Sequence, residues 1–64
     1  MSEILRILGR DFRLKLIADP AQGAVHWILV DPGKRLLSGE APNAEVARRS
    51  AEEAGRTLLE LEAA

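Results

Sequence analysis

The chain contains no cysteine and no tyrosine, and only one histidine, one tryptophan and one phenylalanine in 64 residues. Without cysteine, no disulfide can staple the fold and no thiolate can bind a metal. A single histidine excludes the clustered sites usual for zinc. No apolar run approaches the ~20 residues of a membrane-spanning helix. The first ten residues lack the basic leader and small-residue cleavage site of a signal peptide. A cytoplasmic protein is the simplest expectation. Charge of one sign is also lacking, since 9 Lys+Arg face 10 Asp+Glu for a net charge of −1. That balance gives no overall field to attract nucleic acid or a membrane.

What is present is globular in composition, with 47% hydrophobic and 30% charged residues. The length suits one domain, residues 1–64, near the lower limit for a chain that folds alone. A core this small rarely supplies more than ~3–5 kcal/mol, and oligomerisation is one common remedy. The charge is uneven: residues 1–38 carry six cations against four carboxylates, and 39–64 carry three arginines against six glutamates.

Residues 1–9 are ambiguous. Ile4, Leu5, Ile7 and Leu8 fit one face of a two-turn helix, with Ser2 as N-cap and Gly9 past its end. A short strand or an irregular arm fits as well. Phe12-Arg13-Leu14-Lys15-Leu16 alternates strictly, which predicts a half-buried strand with Phe12, Leu14 and Leu16 on one face. Asp19-Pro20-Ala21-Gln22-Gly23 is a turn. Ala24–Val30 is a second strand, apolar on both faces, with Val25, Trp27 and Leu29 opposite Ile28 and Val30. Such a strand is central and covered on both sides. Asp31-Pro32-Gly33-Lys34 has the residue preferences of a type II turn, in a slightly lengthened or bulged connection. Arg35–Ser38 is a short third strand.

Gly39-Glu40-Ala41-Pro42 breaks the pattern, and Asn43 caps a final helix over 43–62. Ala47, Ala51, Ala54, Leu58 and Leu61 form its apolar stripe. Opposite charges four apart, such as Glu45 with Arg49 and Arg48 with Glu52, lace the rest. The expected fold is α+β: a three-stranded antiparallel meander over 10–39 packed by one C-terminal helix, with 1–9 as an arm or short helix. Trp27, or Phe12, fills the contact between sheet and helix, near Ala51 or Gly55.

No constellation of catalytic residues emerges. His26 and Trp27 are neighbours on a strand and point to opposite faces. Ser2, Ser38 and Ser50 lie outside any strand–turn–helix nucleophile context, and the glycines form no phosphate-binding loop. The expectation is a protein without enzymatic activity, metal or cofactor. Arg13, Lys15, Lys34 and Arg35 are candidate nucleic-acid contacts, in a domain that is neither basic nor furnished with stacking aromatics.

From Trp27 onward, "WILVDPGKRLLSGEAPNAEVARRSAEEAG" resembles the YegP-like family of small strand-strand-strand-helix domains. The resemblance rests on Trp27, Leu29, Gly33, Leu36, Ser38 and the helix with Ala47, Ala51 and Ala54. It implies a unit that pairs with a second copy, and no activity. The same element order is similar to antitoxins of the HicB fold, although their glycine-cysteine turn is absent here. Ile17, Ile28 and Val30 need cover beyond one helix, as do Ile4, Leu5, Ile7 and Leu8. These seven are the candidate interface. The expected function is a homodimeric interaction module, with a nucleic-acid-binding regulatory or antitoxin-like protein as the alternative.

Overall fold

The computed structural model describes residues 2–63; Met1 and Ala64, part of the expected 1–64 domain, lie outside the described residues. Strands β1 (Ser2–Ile7), β2 (Arg10–Asp19), β3 (Ala24–Val30) and β4 (Leu36–Ala41) form an antiparallel meander in the order β1-β2-β3-β4. Helix α1 (Ala44–Ala63) follows and packs on one side of it. The architecture is α+β, as expected, but the sheet has four strands rather than three.

The fourth strand comes from the ambiguous N-terminal segment, which is neither a helix nor an arm. It pairs with β2 along its whole length, from Ser2↔Lys15 to Ile7↔Arg10. Two helical turns would have been marginal in water, whereas a strand on an existing sheet gains a full ladder. Gly9, read as a possible helix end, instead joins Leu8 in a two-residue hairpin turn. Both have positive φ, 50° for Leu8 and 80° for Gly9, as the tightest right-twisted hairpins require. Leucine is costly in that conformation and glycine is not.

The strand expected at 35–38 begins at Leu36 and runs on to Ala41, through Gly39-Glu40. Gly39 does not break it because Trp27, its cross-strand partner, lies over it. A Cβ at Gly39 would come within 2.7 Å of Trp27 Cζ2. Trp27 is 7% exposed and belongs to the same core as Ala47 and Ala51, so its predicted burial holds. Its Nε1 is buried without an acceptor among the described residues. Gly55 meets other groups: a Cβ there would lie 2.6 Å from Ile7 Cδ1 and 3.1 Å from Leu29 Cδ2.

The β3–β4 connection is bulged, but not through a left-handed Gly33. The positive φ, 68°, belongs to Lys34. The Lys34 N–H donates to the Asp31 carbonyl (2.8 Å) and the Asp31 N–H to the Arg35 carbonyl (3.0 Å). This is the pattern of a type I turn followed by one left-handed residue. Asp31 fixes it further. Its Oδ1 accepts the Arg35 N–H at 3.1 Å, and its Oδ2 accepts Arg35 Nε at 2.9 Å.

Asn43 caps α1 as expected, its Oδ1 accepting the Val46 N–H and its carbonyl the Ala47 N–H, both at 2.9 Å. Ala47, Ala51 and Gly55 are the helix residues buried on the sheet. Leu61, predicted to end the stripe, is 70% exposed. The helix by then has run past the sheet's apolar centre. Glu45–Arg49 and Glu52–Arg56 pair within the helix, at 3.2 and 3.3 Å. Arg48 turns instead to Glu3 of β1, with Nε donating at 2.9 Å, and so ties the helix to the added strand.

Candidate interface: the open face of the sheet

Alternation along the strands sends every second side chain away from the helix. The register then arranges those side chains in rows across the sheet. One row is Ile4–Arg13–Val30–Leu36, the next is Ser2–Lys15–Ile28–Ser38, and a third is Ile17–His26–Glu40. Ile4 (61% exposed), Ile17 (42%) and Leu36 (68%) stand in solvent on this face, while Ile28 and Val30 are half-buried between their neighbours. Single exposed apolar side chains are ordinary; five on one uncovered sheet face form a patch.

The seven predicted interface residues divide. Ile4, Ile17, Ile28 and Val30 share the open face. Leu8 is exposed at the β1–β2 turn. Ile7 is fully buried beneath the helix and Leu5 packs against the same core, so both are covered within the monomer. The reading of 1–9 as a helix had grouped all four N-terminal residues; a strand separates Ile4 from Leu5 and Ile7. Leu36 was not among the candidates, because nothing in the sequence sets the face of a strand whose length is misjudged.

The basic candidates divide too. Arg13 and Lys15 are exposed on the open face and have no ion pair among the described residues. Lys34 is in the β3–β4 turn. Arg35 is engaged: its Nη2 meets Asp31 Oδ2 at 2.7 Å and also pairs with Glu62 near the end of α1. Asp31, the one buried charged residue among those described, is held below the ordinary carboxylate pKa. The main cause is the Arg35 backbone N–H; burial opposes it, and the Arg35 side chain adds to the lowering. This cluster locks a turn to the helix end and is not aimed at the open face.

At the far end of the face, His26 lies between two carboxylates, its Nε2 3.6 Å from Asp19 Oδ2 and its Nδ1 3.6 Å from Glu40 Oε2. These separations are too long for hydrogen bonds. Among the described residues, no group of three histidine, cysteine or acidic side chains is placed to hold a metal ion. No described helix is long and apolar enough to cross a membrane. No family model, curated protein or solved structure matches the chain. The functional reading therefore rests on this face and its chemistry.

Proposed function

We propose that the protein is a non-enzymatic interaction module that works as a homodimer through the open sheet face, in the cytoplasm. The observation that supports this is the uncovered set Ile4, Ile17, Ile28, Val30 and Leu36, opposite the face the helix covers. A small core gains from cover there, because each large side chain removed from water contributes about 1.5–3 kcal/mol. A dimer is also what the resemblance to the YegP-like family implies. Nucleic-acid binding is less well supported. Two of its four candidate cations lie off the face, and Arg35 is neutralised by Asp31 and Glu62.

Sedimentation equilibrium from low to high micromolar concentration tests the proposal. The expected result is a mass rising toward twice the 7.0 kDa of the chain. A mass of one chain throughout overturns it. Titration with duplex DNA at low and physiological salt tests the nucleic-acid reading, for which phosphate contacts predict a steep loss of affinity with salt.

A further inference from the structure

The open face is polarised along its strands. Arg13 and Lys15 occupy one half of β2, among Ile4, Ile28 and Val30, and no carboxylate pairs with either among the described residues. Asp19 and Glu40 occupy the other half, with only the His26 imidazole between them. Covering this face with an apolar partner would bury two unpaired cations, at a cost well above the gain from the surrounding methyl groups. Covering it with nucleic acid would place Asp19 and Glu40 against phosphates. A partner has to be acidic at one end and basic at the other. The chain itself has that pattern, in reverse order when turned end for end.

We infer that a second copy docks face to face and end for end, so that the half of the face with Arg13 and Lys15 in each chain meets the half with Asp19 and Glu40 in the other. This rests on the reading of the open face as a docking surface and adds the occupant's orientation. A two-fold axis crossing β2 near Leu16 relates positions three residues to either side, and so sets Arg13 opposite Asp19 of the second copy. Stacked sheets lie ~10 Å apart, a gap that an arginine on one sheet and a carboxylate on the other can bridge. Ile17 and Ile28 then lie near the axis at the centre, and Ile4 and Val30 flank each charged contact in the row of Arg13. Isologous symmetry demands this self-complementarity.

Charge reversal in two separate variants tests the arrangement. Arg13→Glu/Lys15→Glu makes both halves of the face acidic, and Asp19→Lys/Glu40→Lys makes both basic. Each variant alone should be monomeric, with dimer affinity reduced on the order of 100-fold or more through repulsion at both contacts. Mixed one to one, they should associate as a heterodimer, because both contacts are then between opposite charges. Circular dichroism checks that each is folded. If reversal at Asp19 disturbs its turn, Asp19→Asn/Glu40→Gln serves instead and should show a smaller loss. A wild-type chain that never dimerises overturns the homodimer itself. A wild-type dimer that either reversal leaves intact, or folded variants that do not associate when mixed, overturns only the face-to-face orientation.

Discussion

The two faces of the sheet are drawn from the same strands, residue by alternate residue, yet they are built on different principles. The covered face holds Phe12, Leu14, Trp27 and Leu29 under Ala47, Ala51 and Gly55. There, large groups on the sheet meet small ones on the helix, and Gly55 leaves no room for a Cβ beside Ile7 and Leu29. The open face mixes isoleucine and valine with Arg13, Lys15, His26 and Glu40. Its side chains touch mainly their cross-strand neighbours. The covered face defines one monomer fold, whereas the open face has apolar area and charge that the monomer leaves unmatched. Truncation should therefore cost stability on one side and association on the other.

The sharpest contrast is between Phe12→Ala and Ile17→Ala, both on β2 but on opposite faces. Phe12→Ala should cost about 3–5 kcal/mol, close to the whole stability of so small a domain. A urea melt should lose most or all of its cooperative transition. Ile17→Ala, in a dilute sample, should move the midpoint by no more than about 0.5 kcal/mol equivalent. Similar losses at the two positions would mean that the open face is already covered in the monomer.

Next in size is Gly39→Ala. The new Cβ would collide with a rigid, buried indole rather than the free end of a flexible chain. Overpacking of this kind costs about 1–3 kcal/mol, despite alanine's lower backbone entropy. A neutral or stabilising result in a thermal melt would show that Trp27 has room to move.

Asp31 gives the turn beside the covered face a dependence on pH. Its folded pKa is lowered, so its contribution is fully present above the ordinary carboxylate value of 3.8 and is lost as pH falls through the folded value. Asp31→Asn should flatten this acid limb of stability, measured by denaturant melts from pH 6 downward. The smallest effect expected is from Leu8→Asn. Asparagine tolerates the left-handed region better than leucine, and Asn-Gly is the favoured pair for this turn. A gain of about 0.5–1 kcal/mol should follow, visible as a higher melting temperature.

Local patterns made much of the architecture legible. Phe12 to Leu16 alternates too strictly for anything but a strand. Asn43 before Ala44–Val46 marks a helix start, and its side chain caps it. The first strand was hidden because Ile4, Leu5, Ile7 and Leu8 satisfy a helical period, and only pairing with β2 decides against it. The end of β4 was hidden because Gly39-Glu40 has turn chemistry, and nothing local shows that an indole will rest on the glycine. The candidate site was legible in half: Ile17, Ile28 and Val30 follow from alternation. Leu36 required the true extent of β4, and the separation of Ile4 from Leu5 required the added N-terminal strand.

The sequence alone determined the period of β2, β3 and the helix, and hence which of their side chains share a face. It also determined the helix cap and the positions of most turns, because these depend on residues a few places apart. Only the tertiary structure decided which face the helix covers, that the N-terminal segment joins the sheet, and that Arg48 and Arg35 leave their helix and turn for distant carboxylates. Those outcomes depend on volumes and charges brought together across long separations in sequence. Trp27 fits over Gly39, and Ile7 into the space at Gly55, only once the strands and helix are in place.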